Sequence, residues 1–157
     1  MMKKLMLAVV MAVGCCAMAF AEQGDMSAGL QFNYASKNSM IGLGVNYQIE
    51  VVRNLRIEPE FIYYFENKQL SDYNVNLNVQ YLIPTSSRTN IYPLAGFSYV
   101  SFKDHATDTS DNRYGANIGI GVEYMINQSF KFYTEQRFHI IKHWNESVTC
   151  LGLRYTF

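Results

Sequence analysis

Cysteine is scarce in this chain: three in 157 residues, two of them at positions 15 and 16. Cys150 stands alone in the remainder, so a disulfide framework cannot supply the stability. Basic and acidic residues balance at 13 each, which removes the positive surface that nucleic acid binding needs. No metal-ligand spacing links the three histidines to Cys150. No phosphate loop is present, and the Gly-x-Gly pairs in "GLG" and "GIG" fall inside alternating segments rather than at a strand-to-helix turn. Neither catalytic residues, a metal nor a cofactor is expected. After residue 21 no apolar run approaches the roughly 18 residues of a membrane helix.

The first residues read as a secretory leader. "MMKK" is a positive start, "LMLAVVMAVGCCAM" an apolar stretch, and Ala19-Phe20-Ala21 a small-x-small cleavage site before Glu22. We therefore expect a signal peptide over 1–21 and a mature domain over 22–157. A membrane anchor and lipid attachment at Cys15 are the alternatives, and the "AMAFA" that follows suits peptidase cleavage better. Removing Lys3 and Lys4 leaves 11 basic against 13 acidic residues.

What fills the rest is alternation of period two. In "YNVNLNVQYLI" the residues Tyr73, Val75, Leu77, Val79, Tyr81 and Ile83 share one face, and Asn74, Asn76, Asn78 and Gln80 the other. Eight such segments are expected, near 26–36, 40–50, 55–65, 73–83, 91–100, 113–125, 130–140 and 147–157. In the seventh, Thr134 and Gln136 interrupt the apolar row. Most span about ten residues, the length a tilted strand needs to cross a bilayer.

The polar face decides the orientation. It carries Gly29, Gly42, Gly44, Gly96, Gly115, Gly119, Gly121 and Gly152, and glycine on a wet sheet face weakens a strand. In a narrow barrel it makes room for long side chains. Glu50, Arg56, Glu58, Glu60, Glu123, Lys131, Glu135, Arg137 and Arg154 share that face and are expected to form a lumen ion network, with His139 able to titrate. Pairing would set Glu50 beside Arg56, Gln48 beside Glu58, and Glu123 near Lys131. Of the lysines past residue 21, Lys37, Lys68, Lys103 and Lys142 are expected in connections. Aromatics gather in two belts. Tyr34, Tyr63, Phe65, Tyr73, Tyr99, Tyr114 and Phe138 form one; Tyr47, Tyr81, Tyr124, Phe130, Tyr155 and Phe157 form the other. The connection "SFKDHATDTSDN" is the longest, which would put its end outside the cell and both termini in the periplasm.

With the leader, "IYPLAGFSY", "GANIGIGVEY" and the terminal "LGLRYTF", the mature chain resembles the small Gram-negative outer-membrane β-barrels of the OmpX, opacity-protein and OmpA-barrel type. The resemblance implies an all-β, eight-stranded antiparallel up-and-down transmembrane barrel. It also implies that Leu151, Leu153, Tyr155 and Phe157 are read by the outer-membrane assembly machinery. Partners would be outer-membrane lipid and lipopolysaccharide, with the chain a monomer and any surface ligand open. The expected role is structural or surface-interactive, around a plugged, ion-paired lumen. The alternatives are a narrow porin-like channel, a lipid A deacylase or acyltransferase using His139, His143 or Ser147, and a soluble lipocalin-like binder.

Overall fold

Each strand hands its apolar residues to one face and its glycines, amides and charges to the other, so the sheet must bury one set and expose the other. In the computed structural model, which describes residues 26–37, 39–67, 70–104, 109–141 and 144–157, the apolar set is the exposed one. Leu30 is 69% exposed, Ile118 50% and Val75 39%, whereas Glu58 is 0% and Arg137 1% exposed. A soluble barrel would have the reverse. The expected leader, Cys15 and His143 lie outside the described residues.

Eight strands build the wall among the described residues: β1 (Met26–Ala35), β2 (Met40–Val52), β3 (Leu55–Asn67), β4 (Leu70–Tyr81), β5 (Thr89–Asp104), β6 (Thr109–Met125), β7 (Phe130–Ile141) and β8 (Trp144–Thr156). A two-residue piece, Ile83–Pro84, continues the line of β4 and pairs with Asn90 and Ile91. Every neighbour in the chain is an antiparallel neighbour in the sheet, and β1 pairs with β8 to close the ring. Phe157 N donates to Met26 O at 3.0 Å, so these two residues sit at one end, with the turns after β2, β4 and β6. We call this the turn end and the opposite one the loop end.

The strands overrun their expected limits at the loop end. β5 and β6 continue to Asp104 and from Thr109, pairing Lys103 with Ser110. Lys103 is therefore a strand residue rather than a connection residue, while Lys68 and Lys142 lie outside the described residues. β3 and β4 likewise extend to Asn67 and from Leu70, and β8 starts at Trp144. Hydrophobic alternation marks only the part of a ladder with an apolar neighbour; backbone pairing continues past it on polar residues. At the turn end, the β2–β3 connection places Asn54 at φ 67°, a region that asparagine tolerates well, next to a bulge between Glu50 and Val52.

Two glycines show why the inner face needs them. Gly121 stands opposite Tyr92, and Gly152 opposite Tyr133. A Cβ at either position would come within 2.4 Å of the facing tyrosine ring. The rings fill the space that the glycines leave.

Candidate functional site

The lumen is where this sequence concentrates its chemistry. Four carboxylates (Glu58, Glu60, Glu123, Glu135) and four cations (Arg56, Lys131, Arg137, Arg154) face inward from β3, β6, β7 and β8, all nearly or fully buried. Isolated charges would be untenable there; pairing and hydrogen bonding make them tolerable.

Two arginines bridge the walls. From β7, Arg137 makes a bidentate contact to Glu60 on β3, with Nη2 to Oε2 at 2.6 Å, and its Nε reaches Glu135 at 2.7 Å. From β8, Arg154 donates through Nη2 to Glu58 at 2.6 Å and to Glu135 at 2.9 Å. Bidentate, charge-assisted bonds of this kind fix geometry as well as charge. Amides complete the carboxylates' coordination: Gln48 donates to Glu58 at 2.9 Å, and Asn76 to Glu60 at 2.7 Å. Closer to the turn end, Arg56 Nη1 meets Glu123 at 2.8 Å, and Asn90 donates to the other Glu123 oxygen at 2.8 Å.

The expected pairings between neighbouring strands hold, and contacts across the lumen add to them. Gln48 bonds Glu58 as anticipated. Glu50 stands opposite Arg56 in the ladder and forms an ion pair with it at 3.8 Å through Nε, while Nη1 of the same arginine bonds Glu123 across the lumen at 2.8 Å. Lys131 is opposite Met125, and Glu123 opposite Tyr133, so the Glu123–Lys131 pair is diagonal. The lumen is narrow enough for long side chains to reach the facing wall, and cross-strand adjacency does not capture that.

Sequence reasoning missed the inward tyrosines. Tyr92 donates to Glu135 at 2.6 Å, and the Arg154 guanidinium stacks 3.3 Å from the Tyr133 ring centre. Tyr133 also donates to Gln31, which accepts from Asn46 at 2.6 Å. The available signal was parity: Tyr64, Tyr92 and Tyr133 fall in step with the glycines and charges, not with the apolar row. An apolar cluster of Ala35, Met40, Ile62, Tyr64 and Val148 inside the loop end was missed as well.

The belt residues all point outward, and many touch in arcs. At the loop end Tyr73, Tyr99 and Tyr114 are linked at 6.4 and 5.1 Å between ring centres, and Tyr63 meets Phe65 at 5.9 Å. At the turn end Phe130, Tyr155, Phe157 and Tyr47 are linked at 5.2, 5.4 and 6.4 Å. Tyr34, Phe138, Tyr81 and Tyr124 are outward and exposed in the same zones. Leu151 and Leu153 stand outward on β8 between the belts.

One stretch of the outer face is polar. Gln136 donates to Ser147 Oγ at 2.6 Å and accepts from Thr149 at 2.8 Å, while Thr134 donates to the Cys150 carbonyl at 3.1 Å. Ser147 is thereby on the outer wall, whereas His139 is buried inside. The two residues face opposite sides of the sheet.

No curated protein sequence matches the chain significantly. Among solved structures, the N-terminal β-barrel domain of Pseudomonas aeruginosa OprF superposes with a TM-score of 0.74 at 15% identity, covering 86% of this chain and 98% of that one. Neisserial surface protein A gives 0.65 at 16% identity, with 85% and 95% covered. The attachment invasion locus protein Ail of Yersinia pestis gives 0.55 at 15% identity, with 85% and 99% covered. These likenesses show the fold. The family model described as outer membrane protein beta-barrel domain matches residues 6–157. With its apolar outer wall and closed ring, the chain belongs to that family of bacterial outer-membrane β-barrels.

Proposed function

We propose that this protein is a structural or surface-interacting barrel whose side-chain-filled, ion-paired lumen does not conduct. The observation that carries the reading is the pair of arginines tying opposite walls together through Glu58, Glu60 and Glu135. An ion moving along the axis would have to displace charge-assisted bonds that hold buried groups in place. The apolar cluster at the loop end adds a second obstruction. Lipid and lipopolysaccharide are the partners that the exposed aliphatic wall would meet. The outward row Leu151, Leu153, Tyr155 and Phe157 on β8 is the segment we assign to recognition by the assembly machinery. A non-enzymatic role is supported by the opposed directions of Ser147 and His139, which cannot form a nucleophile–base pair through the wall.

Reconstitution of the purified barrel in planar bilayers tests the reading. No defined conductance steps are expected at physiological salt; reproducible single-channel steps would assign the narrow-channel role instead.

A further inference from the structure

The outer wall is not evenly rounded. Across β7, β8, β1, β2 and β3 it holds a groove of about 1060 Å³. Aromatics stand on its flanks, Phe61 on β3 and Phe132 on β7, while the smallest outward side chain of the lining, Ala28, stands on the central strand. Large flanks around a small centre leave a hollow. Beneath it Gly29, Gly44 and Gly152 occupy three neighbouring strands, and glycine is where a sheet bends most easily. The surface offered is apolar apart from the Tyr155 hydroxyl: Leu30 is 69% and Leu153 50% exposed, whereas Arg154, the one charged residue of the lining, is buried in the lumen.

The two ends of the groove differ. Loop-ward it stops at Phe32 and Leu151, beside Thr134 and Thr149, where the outer face turns polar. At the turn end it opens onto a second hollow of about 520 Å³, formed by the polar residues Asn127, Gln128 and Ser129. Phe130 and Tyr155, whose ring centres are 5.2 Å apart, line both. From Ala28 to Phe32 the groove follows β1 for about 13 Å, at roughly 3.3 Å per residue. One leaflet's share of a hydrocarbon core is close to that, about 15 Å.

These proportions select the occupant. An apolar channel one leaflet long with a polar pocket at its foot matches a lipid, acyl chain along the strands and headgroup at the turn. A second copy of the barrel fits poorly, because a two-fold contact would set hollow against hollow and leave a void. Among the described residues the headgroup pocket is lined by amides and a hydroxyl with no ionised side chain, so it offers donors and acceptors without net charge. An anionic headgroup, or the phosphates of lipopolysaccharide, would call for lysine or arginine there.

We propose that this groove binds one phospholipid with a zwitterionic headgroup, its acyl chain over Ala28 and Leu30 and its headgroup at Asn127, Gln128 and Ser129. The assignment rests on lipid as the partner of the outer wall and adds a defined seat for one molecule.

Native mass spectrometry tests it, on the purified barrel released from micelles doped with equal amounts of phosphatidylethanolamine, phosphatidylglycerol and lipopolysaccharide. One phosphatidylethanolamine per barrel should survive removal of the detergent. Ala28→Trp fills the hollow and should lower that occupancy at least about tenfold, whereas Ala95→Trp on β5, across the ring from β1, should leave it unchanged. Gln128 lies on an exposed turn, and Gln128→Ala should weaken retention about fivefold, the loss of one hydrogen bond. Folding of each variant is checked by heat-modifiable gel migration, and Gln128→Ala decides the matter if Ala28→Trp does not fold. No retained phospholipid, equal effects of the two tryptophans, unchanged retention in Gln128→Ala, preference for phosphatidylglycerol or lipopolysaccharide, or a dimer in place of the lipid adduct would each overturn the assignment. A barrel that inserts into vesicles yet retains no lipid would remove the groove's role and leave the lipid-facing wall standing.

Discussion

Arg154 touches Glu58 and Glu135, receives the face of Tyr133, and donates weakly to Tyr92 at 3.2 Å. Removing it leaves two carboxylates buried beside a ring that no longer carries a cation. Arg154→Met should therefore lower folding stability by about 3–5 kcal/mol, the usual result of breaking a buried pair from one side. Urea unfolding in detergent or lipid vesicles reads this directly, and an unchanged midpoint would mean that water already solvates the site. The charged members of this cluster were legible as sequence, because Glu and Arg recur in step with glycine. Their partners were not. Which arginine reaches which carboxylate depends on lumen width and strand tilt, and Tyr92 and Tyr133 were hidden by their resemblance to belt residues.

At the scale of the strand, β7 and β8 carry the one polar knot found on the outer face among the described residues. Gln136 satisfies Ser147 and is satisfied by Thr149. In hydrocarbon a lone hydroxyl has no water to turn to, so Gln136→Leu should destabilise by about 1 kcal/mol by orphaning both neighbours. Replacing all three together, with Leu at 136 and Val at 147 and 149, should recover that loss or exceed it. Urea titrations of both variants in phospholipid vesicles compare them, and equal losses would show that the three residues do not act as a unit. Sequence alternation placed every strand because one face meets an apolar medium. It could not mark where β3 to β6 and β8 extend past that medium, since a backbone ladder such as the Lys103–Ser110 pair needs no apolar residue to form.

For the whole molecule, the remaining question is which end faces the cell exterior. The overrunning β5–β6 hairpin projects from the loop end, and this supports an outward loop end with the turns in the periplasm. Asp111 and Ser86 are exposed at opposite ends. Asp111→Cys should react with a membrane-impermeant maleimide on intact cells, and Ser86→Cys only after permeabilisation; the opposite pattern would invert the topology. Native Cys150 is buried inside and should not interfere.

The seam between β1 and β8 brings together residues far apart in the chain: the Ser27 and Thr156 hydroxyls, 129 positions apart, meet at 3.0 Å. Sealing the cylinder is thus the slowest kind of contact to form, requiring the longest loop the domain can offer. A nascent chain lacking its final strand would present two raw edges to whatever surrounds it. Such a polypeptide has to be kept unfolded in transit, and it becomes a finished wall in a single late step.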